Sequence, residues 1–202
     1  MRADSIAFAL SGILFGVIVG WILGSQQSVR PVIAPAATAA TDSAPAEGRQ
    51  PPPPLDEARL KTLVASAGSE PTNPEPRVQL GNLYFDAERY SDAVQWYEDA
   101  LRLQPADANV STDLGVAYYY TNQPDKAIAQ FERSLSIDPA HTKTMLNMGI
   151  VKAFGKQDLA GASAAWQQVI ATAPNSPEAQ AARKALEGLQ QAHPGGGPSS
   201  GD

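Results

Sequence analysis

The chain has no cysteine among its 202 residues, so disulfides, thiolate nucleophiles and thiolate metal ligands are excluded. Histidine is nearly absent as well: His141 and His193 are the only two. Each reads as a solvated surface side chain, one in a turn and one near the end of the chain. No HExxH zinc signature, dinucleotide GxGxxG fingerprint or phosphate-binding loop occurs. Basic residues are outnumbered, 15 Lys and Arg against 21 Asp and Glu, for a formal net charge of −6. A nucleic-acid binder carries a basic stripe or patch, and the sequence has none, so nucleic acid is excluded as a partner. The remaining acidic residues are scattered over polar helix faces. The sequence therefore points away from an enzyme and from any cofactor or metal.

One stretch lacks charge altogether. Residues 5–24, SIAFALSGILFGVIVGWILG, are twenty uncharged residues between Asp4 and the distant Arg30. As a helix this run spans about 30 Å, the thickness of a bilayer core. Trp21 lies near one end, where an indole suits the interface. A cleavable signal peptide would have an apolar core of about 7–15 residues, so the longer run reads as an uncleaved single-pass transmembrane anchor over 1–24. Gly12, Gly16, Gly20 and Gly24 recur every four residues and form one smooth stripe, a face suited to helix–helix association in lipid and hence to a homo-oligomer or a membrane partner. Arg2 precedes the run, which favours a cytoplasmic amino terminus and a translocated remainder.

Residues 25–54 hold Pro31, Pro35, Pro45 and the run Pro51 to Pro54 among Ala, Thr and Ser. That composition buries too little apolar surface for a core and reads as a stiff, extended spacer. Residues 55–67, LDEARLKTLVASA, follow as a short amphipathic helix with Leu60, Leu63 and Val64 on one face.

From about residue 74 the chain repeats. Gly81, Gly115 and Gly149 are 34 residues apart; so are Ala93 and Ala127, Tyr97 and Phe131, and Pro105 and Pro139, with Pro174 following at 35. A fixed period of that size sets the architecture before any local propensity is consulted. Within each unit the apolar residues fall at helical spacing in two runs separated by a polar turn, and a proline closes the second run. Glycine inside a helix costs about 1 kcal/mol relative to alanine. Three of them in one phase therefore imply close packing, read here as Gly81 against the small Ala93 on the facing helix. The third unit carries one extra residue near 158–161, which reads as a bulge in its turn.

The pattern Leu-Gly…Tyr, then Ala, an aromatic, Ala or Ser, and Pro resembles the tetratricopeptide repeat family over three consecutive units. The family's early tryptophan is replaced by Arg77, Ser111 and Met145, and its first-helix tyrosine by Lys152 in the third unit. The resemblance implies an all-α fold: a helical solenoid of three helix-turn-helix repeats with capping helices, behind the amino-terminal transmembrane helix. The domain covers 55–190, with repeats at about 74–107, 108–141 and 142–176, a cap helix at 177–190 started by Ser176 and Pro177, and a disordered tail at 191–202.

In that family the first helix of each pair lines a concave groove that binds a protein or peptide. Carried onto this chain, the groove presents Val78, Asn82, Phe85 and Asp86; then Asn109, Thr112, Val116, Tyr119 and Tyr120; then Lys143, Leu146, Asn147, Ile150 and Phe154. Some relatives grip a terminal carboxylate with lysines and asparagines. Asn82, Lys143 and Asn147 match that clamp loosely, whereas Val78 and Asp113 stand where the clamp has Lys and Asn. The order anchor, linker, repeats, and the wording DLAGA…W…P of the third unit, is also similar to the repeat domains of bacterial cytochrome c maturation proteins. That similarity implies an inner-membrane protein with its repeats in the periplasm, presenting apocytochrome segments. The alternative is a structural assembly factor of a membrane or envelope complex that oligomerises through the glycine stripe.

Overall fold

The computed structural model describes residues 52–192. The expected anchor, its glycine stripe at Gly12, Gly16, Gly20 and Gly24, most of the linker and the end of the tail lie outside these residues. Among the described residues there are eight α-helices and no strand: α1 Glu57–Ser69, α2 Glu75–Asp86, α3 Tyr90–Leu103, α4 Ala108–Tyr120, α5 Pro124–Ile137, α6 Thr142–Ile150, α7 Leu159–Thr172 and α8 Pro177–Ala192. A π-helical turn, Val151–Gly155, continues α6 without a break. Among the described residues no helix is long and apolar enough to cross a membrane.

Each helix packs on the next in sequence, and α8 also touches α6, which is the stacking of a helical solenoid from α1 to α8. The start and stop signals are side-chain chemistry. The Asp56, Asp107 and Asp158 carboxylates accept the backbone N–H of Arg59, Val110 and Gly161 at 2.9, 3.0 and 2.8 Å. Ser176 Oγ does the same for Ala179 at 3.1 Å, with Pro177 in the first turn. Helices α3, α5 and α7 stop at Leu103, Ile137 and Thr172, each two residues short of Pro105, Pro139 and Pro174. Proline has no N–H to continue the ladder, and its ring disfavours a helical residue before it.

The hairpins are closed by an aromatic ring laid over a glycine. Tyr97, Phe131 and Trp166 are buried, and a Cβ placed on Gly81, Gly115 or Gly149 would stand 2.5, 2.7 or 2.6 Å from Cδ1 of the facing ring. No side chain fits there. The glycine's partner is thus the aromatic four residues after the alanine, which corrects the expected Gly–Ala pairing; Ala93, Ala127 and Ala162 are fully buried at the same interface. Tyr97 Oη donates to Asn82 Oδ1 at 2.7 Å, and Trp166 Nε1 donates to the Leu146 carbonyl at 3.2 Å.

The third unit's extra residue also lies elsewhere than expected. Glu88, Asn122 and Gln157 occupy the left-handed region, φ 55°, 59° and 56°, and mark the same place in each hairpin turn. Turn closure runs from Arg89 N–H to the Tyr84 carbonyl and from Gln123 N–H to the Tyr118 carbonyl, both 2.9 Å, but from Asp158 N–H to the Lys152 carbonyl at 2.8 Å, one residue longer. Lys156 N–H reaches the Val151 carbonyl at 3.1 Å, a π-type bond. The surplus residue is therefore absorbed as a π turn at the end of the first helix, and the turn itself keeps its standard length.

The junction between the second and third hairpins is polar inside. Thr112 (α4), Ser134 (α5) and Thr144 (α6) have no exposed surface, and their hydroxyl oxygens lie 2.5–2.9 Å from one another. Thr112 and Ser134 both donate to the Ala108 carbonyl, at 2.7 and 2.8 Å. Buried hydroxyls without partners would be costly, and these are all bonded. His141 joins the cluster: Nδ1 is 2.6 Å from Thr144 Oγ1, and Nε2 is 3.0 Å from Asn109 Oδ1. It is a half-buried connector of two units and not the freely solvated histidine expected from its place in a turn.

Candidate functional site

Helices α2, α4 and α6 are the first members of the three hairpins and carry the candidate groove residues. They do not present them equally. Asn82, Asp86, Asn109, Lys143 and Phe154 are exposed, and Val78, Phe85, Tyr119 and Tyr120 are half-buried. Thr112, Val116, Leu146, Asn147 and Ile150 are buried. Thr112 is wholly enclosed by its hydroxyl partners, so its side chain serves the junction between units. Val116, Leu146 and Ile150 are packing residues at 6, 9 and 8% exposure. The period of the repeat places all five on first helices, but it does not tell which of them the neighbouring unit covers.

The aromatic residues converge. The ring of Phe85, near the end of α2, meets Tyr90 of α3 edge-on at 5.1 Å and Tyr120 of α4 edge-on at 5.8 Å. Tyr90 and Tyr120 stack at 4.4 Å with 11° between planes. Tyr119 lies 5.9 Å from Tyr120. Its other side meets the π turn, where a Cβ on Gly155 would stand 3.2 Å from Tyr119 Cε2. The four rings form a half-exposed shelf across the first and second hairpins, and Tyr119 brings it against the π turn of the third. Edge-to-face and offset contacts of this kind add about 0.5–1.5 kcal/mol beyond burial. An open depression bordered by Arg89, Asp92, Thr121 and Asn122 continues from Tyr90 and Tyr120. Tyr90 begins a second helix and so falls outside the first-helix positions that the family resemblance places on the groove. Its aromatic character at the turn was the available signal.

Beside the shelf the surface is charged. Lys143 Nζ pairs with Asp113 Oδ1 at 2.7 Å, across α6 and α4. Asp86 is exposed as a residue, yet partial burial of its carboxyl pushes it above its ordinary pKa; Arg59 pulls it down and Asp113 pushes it further up. The Tyr97 phenol, bonded to Asn82, is likewise raised by burial and by the charges of Asp113 and Asp86. Tyr119 is raised by burial. Tyr118 lies off the shelf; its phenol, raised by burial and by the hydrogen bond to Glu98, ties α4 to α3. Lys156 closes the rim with an ion pair to Asp125 at 2.5 Å. Among the described residues no three His, Asp or Glu side chains gather as they would around a metal ion.

Comparison with known proteins supports the fold directly. Residues 77–140 match the family model described as a tetratricopeptide repeat. No curated protein sequence matches the chain. Among solved structures, MamA superposes with a TM-score of 0.57 at 19% identity, over 68% of this chain and 82% of that one. The first repeat domain of Spaghetti (RPAP3) bound to the HSP90 peptide SRMEEVD gives 0.54 at 22% identity, over 59% of this chain and 92% of that one. The Sgt2 repeat domain from Aspergillus fumigatus gives 0.54 at 24% identity, over 64% and 87%. Residues 52–192 thus adopt the all-α solenoid of tetratricopeptide repeat proteins.

Proposed function

We propose that this tetratricopeptide repeat solenoid is a membrane-tethered adaptor that holds a protein or peptide segment along its first helices. The observation that carries the reading is the shelf of Phe85, Tyr90, Tyr119 and Tyr120: three rings in mutual contact with Tyr119 joined through Tyr120, half-exposed, across the first and second hairpins. Aromatic side chains supply large contact area at low entropic cost and are enriched where proteins recognise one another. A solved neighbour of the same fold holds a peptide.

The tether is the uncharged run 5–24, joined through the proline-rich spacer. The charge bias around the run favours a translocated repeat domain, and the similarity to bacterial cytochrome c maturation proteins implies a bacterial inner membrane with the repeats in the periplasm. A tether raises the local concentration of the groove for partners in the same membrane. The sequence similarity to cytochrome c maturation proteins makes an apocytochrome segment the first partner to test. The second reading, an assembly factor oligomerising through Gly12, Gly16, Gly20 and Gly24, rests on the four-residue glycine spacing.

Photocrosslinking in intact membranes separates these. A photoreactive residue at Tyr119 is expected to capture a partner that the same probe at the exposed Glu132 does not. Equal capture from both positions would defeat the groove reading and shift the weight to the glycine stripe, whose replacement by leucine would then abolish function.

A further inference from the structure

The charges beside the aromatic shelf specify the kind of segment that fits it, an inference that rests on the groove reading above. Asp113 in α4 pushes up the Asp86 carboxyl of α2, and both carboxylates act on the Tyr97 phenol. Two cations stand near them, but unequally. Lys143 is engaged by Asp113 at 2.7 Å. Arg59 acts on Asp86 only through space, without an ion pair. Asp86 therefore accepts no hydrogen bond and joins no ion pair among the described residues, although burial and Asp113 already work against its charge. A carboxylate so placed gains from one more cation. Next to it in the chain is Phe85, whose ring joins the shelf, and ring faces attract ammonium and guanidinium groups.

Asn147 is an independent sign of a ligand. It lies one turn beyond Lys143 on α6 and is only 8% exposed; its carbonyl accepts the Val151 N–H, but its side-chain amide makes no hydrogen bond among the described residues. Yet no side-chain nitrogen or oxygen is sealed away without a partner, so its amide still reaches solvent. Buried polar groups are nearly always bonded. A carboxamide offers one acceptor and two donors, the complement of a peptide unit. A terminal carboxylate, by contrast, would find Lys143 already held by Asp113 and no charge at Val78, and Arg59, the remaining cation, already acts on Asp86.

We propose that the groove selects an extended peptide segment bearing lysine or arginine, its backbone on the Asn147 amide and its cation on Asp86 beside the Phe85 ring. The probe is a display library of random decapeptides, panned against the full-length protein in detergent micelles. Enrichment of lysine or arginine at one position, about tenfold or more, is expected. Asp86→Asn should abolish it and Glu132→Gln should preserve it. If peptides are enriched and lost on Tyr119→Ser, but carry no basic preference and ignore Asp86→Asn, the cation claim falls while the groove stands. Enrichment of peptides with acidic carboxyl ends overturns the claim as well. If no enrichment depends on Tyr119, in a protein whose circular dichroism shows it folded, both this inference and the groove reading fall.

Discussion

The second and third hairpins share a frame and differ by one residue. From Gly115 to the turn residue Asn122 is seven positions; from Gly149 to Gln157 is eight. From the turn residue to the covering ring, Phe131 or Trp166, is nine in both. The insertion therefore sits wholly between the glycine and the turn, where the helix takes it up as a π turn. Two fixed points define a hairpin of this solenoid, the ring seated on the glycine and the left-handed turn residue. Chain between them is adjustable; the points are not. The adjustment occurs at the end of the first helix, against Tyr119 at the edge of the candidate groove, and it leaves the ring seated on the glycine.

The sharpest way to break the comparison is to fill the seats. Gly115→Ala and Gly149→Ala should each destabilise by about 1–3 kcal/mol, because the ring must move out of a full interface. This is against the grain of helix propensity, which favours alanine by about 1 kcal/mol. Gly149→Ala should be the worse of the two. Phe131 can shift by losing packing alone, whereas Trp166 must also give up its bond to the Leu146 carbonyl. Gly68→Ala in α1, with nothing within 4 Å of the added methyl, should instead stabilise. Denaturant midpoints of the three variants read this directly. A stabilised Gly115→Ala would show that the ring on the glycine is not what closes the hairpin.

How much of this was visible in the sequence follows from the same two points. The period of Gly81, Gly115 and Gly149 revealed the solenoid and the helix pairs, since identical environments demand identical residues. It did not reveal what sits on the glycine. Both Ala93 and Tyr97 repeat, and spacing alone does not choose between a small facing residue and a ring. Nor could the period place the insertion, because the turn residues Glu88, Asn122 and Gln157 share a backbone conformation without sharing a side chain. Glycine at that place would have exposed it. In the groove, first-helix positions were legible as a set. Which of them a neighbour buries was not, since Thr112 and Asn109 look alike on the helix yet one is enclosed by Ser134 and Thr144. His141 was read as a surface histidine because its partners, 3 and 32 residues away, belong to two different helices.

Removing the insertion tests whether chain between the fixed points is adjustable. Deleting Phe154, which is 37% exposed, restores the seven-residue interval of the second hairpin. The π turn should become ordinary α-helix, with a stability change of no more than about 1 kcal/mol, the scale of a propensity difference. Amide exchange of 150–156 would report the change as slower opening. Loss of the folded state on deletion would mean that the π turn is itself a fixed point.

The smallest effect concerns the edge of the candidate groove, where the first two hairpins diverge: the place of Tyr120 in the second is taken by Asp86 in the first. Burial, with Asp113 adding to it, raises the Asp86 carboxyl above its ordinary value of 3.8, against the pull of Arg59. The folded state therefore holds that proton more tightly than the unfolded chain does. Linkage then fixes the sign: as pH rises from 3.8 through the raised value, this group withdraws stability, and the loss is complete above it. Asp86→Asn should melt slightly higher than the parent at neutral pH, and its advantage should shrink as the pH is lowered through that window. Thermal melts of the pair across an acid-to-neutral series read the difference, with other carboxylates cancelling between them. An advantage that grew toward acid would mean that Arg59 governs Asp86 after all, and the carboxylate would then have no use for a further cation.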